Sequence, residues 1–221
     1  MIDGIRMKVC GLTSLVDAEF ADRCGADYLG FILYPKSPRF VALSQYEAMA
    51  AKLPARRKVA VCVEPRLDEL KAMKAAGFDF FQVHFSPATP AAIVADWAST
   101  VGSENLWLAP KLAPEADVAL ELLTMAKTFL LDTFQTGVFG GTGQTGNWPK
   151  FARHQSEFPE KTWILAGGLN PENIGDALRT SHARFVDVNS GVEVAPGIKD
   201  HEKLKRFVVR LHEARSAQRE K

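Results

Sequence analysis

Cys10 and Asp132 each stand where a short apolar run stops, at the ends of MKVC (7–10) and TFLLD (128–132). A thiol can serve as nucleophile or base once it ionises, and a carboxyl can give or take a proton. Each also has an ordinary reading. A cysteine after mostly apolar residues is more often a small core residue. A carboxylate behind Phe129-Leu130-Leu131 is costly to bury unless it is paired, hydrogen-bonded or exposed at a site, and its everyday role is to bond the following loop. Other runs end in polar groups too: Gln82 and His84, Lys111, then Gly167-Gly168 and Asn189-Ser190-Gly191. The two glycine turns follow the seventh and eighth runs. Glycine lets backbone N–H groups approach phosphate oxygens closely, and a short helix after the eighth run would add its positive end. Either turn alone is common; their joint placement points to a phosphate. Cys24, late in a helical stretch, and Cys62, within a run, read as structural.

These residues need elements to carry them. The eight runs are 7–10, 28–33, 58–63, 80–84, 106–112, 128–132, 162–167 and 184–189. They are short, rich in β-branched and aromatic residues, and apolar on both faces in places, as suits strands buried between a core and a layer of helices. Helical patterns lie between them. SLVDAEFADRCG opens on Ser14 as N-cap and stops at Gly25. RLDELKAMKAAG stops at Gly77, and PEADVALELLTMA and PENIGDALRTS carry proline and glutamate in the first turn. HEKLKRFVVRLHEARSAQREK reads as a long closing helix. Eight strand–helix alternations predict parallel strands joined by right-handed crossovers, and closure into an α/β (β/α)8 barrel satisfies both edges. A doubly wound open sheet is the structural alternative. One catalytic domain spanning 1–221 is expected. Pro110 predicts a short or bent fifth strand. Barrel active sites lie at the C-terminal strand ends, where the polar groups above gather. The glycine-rich segment 133–147 follows Asp132 directly and reads as a disordered loop or a lid over the site.

The bulk numbers agree with a single barrel. There are 221 residues, 47% of them apolar, enough for a substantial core. A net charge of +1 supplies no field for nucleic acid or an anionic membrane, so a small anionic substrate must be held by local groups. Three cysteines without metal-ligand spacing argue against a disulfide framework or a zinc site, and the simplest setting is a reducing cytoplasm. No signal-peptide pattern and no run of membrane-spanning length is seen.

Taken together, these pieces resemble phosphoribosylanthranilate isomerase, a family of tryptophan biosynthesis. The resemblance runs through K-V-C-G-L-T (8–13) with D-A (17–18), G-A-D-Y-L-G-F-I (25–32) with S-P-R (37–39), and Q-V-H (82–84). It continues through L-L-D-T (130–133) with G-G-T-G (140–143) and Trp148, and A-G-G-L-N-P-E-N-I (166–174). It closes on V-D-V-N-S-G-V-E (186–193) with P-G-I-K-D (196–200). The resemblance implies an aldose–ketose isomerase performing an Amadori rearrangement. N-(5′-phosphoribosyl)anthranilate becomes 1-(2-carboxyphenylamino)-1-deoxyribulose 5-phosphate, with no redox cofactor or metal. It implies Asp132 as general acid and Cys10 as general base. It also implies Arg39 on the anthranilate carboxylate, where a planar guanidinium suits a planar carboxylate. Asp187 is placed near the sugar, and Gly167, Gly168, Asn189, Ser190 and Gly191 around the phosphate. His84 is a substrate-binding candidate whose structural reading is equally open. Association with neighbouring tryptophan-pathway enzymes is a partner the resemblance allows.

Three departures from the family's pattern stand out. Phe85 stands where glycine is usual, Asn189 replaces the first serine of S-S-G-V-E, and Gly146-Asn147 replaces an aromatic–Asp pair before Trp148. Two rival readings follow from the scaffold. One is the related aminoaldose isomerase of histidine biosynthesis, which differs by an internal duplication and an aspartate at the Cys10 position. The other is a non-catalytic barrel that binds sugar phosphates, supported only by the three departures.

Overall fold

The computed structural model describes residues 1–113, 115–132 and 147–219. Strands β1 (Arg6–Val9), β2 (Tyr28–Ile32), β3 (Arg57–Val63) and β4 (Phe80–Phe85) alternate with helices α1 (Leu15–Arg23), α2 (Leu43–Ala50), α3 (Leu67–Ala75) and α4 (Ala91–Val101). Strands β5 (Leu106–Pro110), β6 (Thr128–Leu131), β7 (Thr162–Leu165) and β8 (Phe185–Val188) alternate with α5 (Leu120–Met125), α6 (Trp148–Glu157), α7 (Ile174–Ser181) and α8 (His201–Arg219). The strands pair in sequence order, and β1 also pairs in parallel with β8, from Arg6↔Phe185 to Val9↔Val188. The sheet is therefore a closed (β/α)8 barrel with no free edge. An open doubly wound sheet is ruled out by the β1–β8 ladder.

Between β8 and α8 the chain adds a 3₁₀ turn (Ser190–Val192) and a small antiparallel hairpin, β9 (Glu193–Ala195) with β10 (Ile198–Lys199). The sequence pattern did not announce this hairpin, because strands of two or three residues carry no readable alternation.

Local chemistry sets the boundaries. Ser14 caps α1, its side chain accepting from Asp17 N, and Gly25 follows the helix at φ +86°. β5 ends on Pro110, which has no N–H to continue a ladder. The expected helix over 114–126 forms only from Leu120, with the residues described before it non-helical. Several runs also overshoot their strands by a residue or two: Cys10, Asp132 and Asn189 each lie just past a strand end. Strand alternation splits the core in two. Outward residues such as Val9, Phe31, Phe81, Leu108 and Phe129 pack beneath the helices. Inward residues form a smaller cluster within the barrel, including Val59, Val61, Trp107, Leu130, Ile164 and Phe185. Among the described residues no helix is long and apolar enough to cross a membrane.

Candidate active site

A cavity of about 380 Å³ opens at the C-terminal ends of the strands. Cys10, Gln82, His84, Asp132, Asp187 and Asn189 line it, all from the inward-facing parity of their strands or the residue just beyond. Arg39 enters from the loop after β2, and Gly167, Gly168 and Ser190 close the side formed by the last two βα turns. Nearly all the site residues expected from the sequence are thus brought to one place. Gly191 and Lys111 are the exceptions, for neither lines the cavity. A Cβ at Gly191 would drive into the carbonyl oxygen of Leu169, so this glycine lets the β7 and β8 turns pack closely.

The β7 turn is held by its own motif. Gly167 and Gly168 adopt φ of +88° and +61°, a conformation that disfavours side chains. Asn170 and Asn173 donate their side-chain amides to Gly168 O at 3.2 and 2.9 Å. Asn170 Oδ1 in turn accepts from the backbone of Glu172 and Asn173. The N-P-E-N sequence therefore builds a rigid turn whose glycines face the cavity.

Below the rim lies a buried ion pair. Lys8, on β1 and facing inward two residues before Cys10, reaches both oxygens of Asp187 at 3.0 and 3.1 Å. Burial opposes the Lys8 charge, but Asp187 and Cys10 outweigh it and hold this lysine above its ordinary pKa. Burial pushes the Cys10 thiol up, with Lys8 pulling against it. His84 is pushed down to about 4 by burial and by the charge of Lys8, so it is neutral near pH 7. Gln82 Nε2 lies 2.8 Å from His84 Nε2, which as acceptor leaves the ring proton on Nδ1.

A second network orients the rim. Arg39 makes a forked contact with Glu193, Nε to both oxygens at 3.0 and 3.1 Å and one terminal nitrogen at 2.7 Å. Lys199 Nζ joins the same carboxylate at 2.9 Å and donates to Asn189 Oδ1 at 3.0 Å. Burial works against the Glu193 charge, yet Arg39 and Lys199 keep its pKa below the usual value. Sequence reasoning missed Lys8, Glu193 and Lys199 as site residues. A signal existed for Lys8, a charge inside the otherwise apolar run 7–10. Glu193 and Lys199 stood in matched motifs, but nothing in their spacing linked them to Arg39.

Over residues 7–210 the sequence matches the family model described as N-(5'phosphoribosyl)anthranilate (PRA) isomerase. The chain belongs to the phosphoribosylanthranilate isomerase family. It is 36% identical over 209 residues to the N-(5'-phosphoribosyl)anthranilate isomerase of Cellvibrio japonicus, covering 92% of each chain. The crystal structure of the phosphoribosyl anthranilate isomerase of Thermus thermophilus superposes with a TM-score of 0.78 at 31% identity, covering 95% of this chain and 99% of that one. Another solved phosphoribosyl anthranilate isomerase superposes at 0.75 and 29% identity, covering 94% and 98%. That one is a complex with reduced 1-(o-carboxyphenylamino)-1-deoxyribulose 5-phosphate.

The departures from the phosphoribosylanthranilate isomerase pattern now have locations. Phe85 turns away from the cavity and packs edge-on to Trp97 of α4, 5.7 Å between ring centres. It does not narrow the site. Asn147 caps α6, accepting from Lys150 N at 3.0 Å, a task an aspartate would also perform. Asn189 faces the cavity and is braced by Lys199. Gly146 and the rest of the expected lid, 133–146, lie outside the described residues. Among the described residues no group of three or more His, Cys, Asp or Glu side chains is arranged to hold a metal ion.

Proposed function

We propose that this chain, as one catalytic domain over 1–221, rearranges N-(5′-phosphoribosyl)anthranilate with Asp132 as acid and Cys10 as base. The Amadori isomerisation itself, a step of tryptophan biosynthesis, follows from family membership. The observation that carries the residue assignment is that Cys10 and Asp132 line one cavity together with Arg39 and the two glycine turns. The ligand named in the related complex joins a phosphate, a ribulose chain and an aryl carboxylate. Gly167, Gly168, Asn189 and Ser190 would hold the phosphate through backbone and amide N–H groups, with Gly191 setting the turn. Arg39 would grip the carboxylate, its fork already steadied by Glu193.

The chemistry then runs in three moves. Asp132 gives its proton to the furanose oxygen, the C1′–O bond breaks, and the anthranilate nitrogen becomes an iminium. The ionised Cys10 sulfur takes the proton from C2′, and the electron pair left behind forms the C1′–C2′ double bond of an enolamine. Protonation at C1′ and loss of the O2′ proton give the ketone. Asp187 lies deep in the same cavity, where the sugar hydroxyls would meet it, and neutral His84 offers a hydrogen bond without charge.

The test is turnover of freshly generated substrate, followed by its fluorescence, for wild type, Cys10→Ala and Asp132→Asn. Loss of turnover in both variants with retained binding of a reduced product analogue is expected. Normal turnover in either variant removes that residue from the mechanism.

A further inference from the structure

Lys8 is fully buried inside the barrel, on the same strand face as Cys10 and level with Asp187 in the β1–β8 ladder. Gly30 on β2 makes the space it occupies. A Cβ at Gly30 would lie 2.8 Å from Lys8 Cε and 3.2 Å from Cys10 Sγ, so the lysine stem and the thiol both crowd into the gap that glycine leaves. The ammonium spends two contacts on the Asp187 oxygens, and its charge is the strongest influence favouring the thiolate. A buried ion pair stabilises a fold poorly, since desolvation offsets most of the attraction, so packing alone does not account for it.

Granted that Cys10 is the base, we propose that Lys8 is the positioning residue that lets this thiol ionise, with Asp187 as the counter-charge that aims and moderates it. A cation against sulfur favours thiolate, and a carboxylate beyond it favours thiol. Other charged groups face Cys10 from the elements around it. Asp187 comes from β8 and Lys199 from β10, while Arg39 and Glu193 neutralise each other at the rim. Asp132 lines the same cavity after β6, and His84 on β4 is neutral. The adjoining inward positions of β2, Gly30 and Ile32, carry no charge. Burial is the largest influence on the thiol and pushes it up; Lys8 is the strongest opposing one. Without Lys8, burial acts with less opposition. A base works deprotonated, so losing Lys8 moves activity to higher pH.

The experiment is the pH dependence of Cys10 alkylation by iodoacetamide in the intact enzyme. It is read on the Cys10 peptide by mass spectrometry so that Cys24 and Cys62 do not contribute. Lys8→Gln is expected to raise the Cys10 midpoint by about one unit and slow alkylation about tenfold at neutral pH. Lys8→Arg recovers part of this, and Asp187→Asn moves the midpoint down. Should Lys8→Gln fail to fold, the double variant Lys8→Met with Asp187→Asn removes both charges together, and its midpoint lies above that of wild type. A wild-type midpoint in either Lys8→Gln or the double variant overturns the proposal, whatever happens to thermal stability. Failure of the base assignment is separate: it shows as normal turnover in Cys10→Ala, a result the alkylation does not touch.

Discussion

At the N-terminal end of the barrel the inward positions are Tyr28, Phe80, Trp107 and Phe185, with the Arg6 guanidinium 4.7 Å over the Phe185 ring. At the other end they are Cys10, His84, Asp132 and Asn189. The same strand alternation delivers both sets. The rings meet with centres 4.9 to 5.7 Å apart, in tilted, stacked and edge contacts, and close the barrel's floor. Such rings each bury roughly 150–250 Å² and contribute through area and ring geometry. The polar end gains little from area. Its groups are held by named partners, Lys8 with Asp187 and Arg39 with Glu193, and it leaves a cavity open. Inside the barrel, ring packing gathers at one end and cavity-lining polar groups at the other, with Lys8 buried between them.

Mutations should therefore separate the two ends. Cys10→Ala should lower turnover by roughly 10²–10⁴-fold, the usual worth of a general base, while leaving the urea midpoint almost unchanged. A large loss of stability instead would show that the polar end also supports the fold. Trp107→Ala should do the reverse, costing about 3–5 kcal/mol by urea denaturation because it opens a hole in the floor. Its folded fraction should keep near-normal KM; a collapse of turnover in folded protein would break the division. Arg39→Lys should raise KM about tenfold with kcat less affected, since a forked charged contact is replaced by a point charge. A fall in kcat at unchanged KM would move Arg39 from substrate grip to chemistry.

The smallest effect belongs to His84, which sits at the polar end yet has a structural pKa. Its folded value is about 4 against an ordinary 6.5, so as pH falls the unfolded chain takes up the proton first. Stability from this group is complete above pH 6.5 and declines as pH drops toward about 4. Chemical denaturation across that window should show the decline, and His84→Gln should flatten it. An equal decline in the variant would place the titrating group elsewhere.

Much of this was legible in the residues. The eight apolar runs located every strand to within a residue or two, because short two-sided burial leaves a plain pattern. Ser14 and Gly25 marked the ends of α1, since caps are set by local chemistry. The helix over 114–126 was overread because Pro114 and Glu115 suit a first turn wherever they stand, and local signals cannot tell a helix start from a loop. The β9–β10 hairpin showed only its turn, Pro196-Gly197, since strands of two or three residues carry no readable alternation.

The amino-acid order by itself determined the repeating strand–helix frame, the polar ends of the strands, and the motifs that tie the chain to its family. These depend on neighbours in sequence, through periodicity, capping and turn geometry. Tertiary structure alone decided that the sheet closes through Arg6–Val9 against Phe185–Val188. It decided that Phe85 turns outward onto Trp97 and that Lys8 meets Asp187, 179 residues away. It likewise decided that Arg39 meets Glu193 across 154 residues. Contacts over such distances follow from barrel closure and strand register, and no local pattern records which strands will stand side by side.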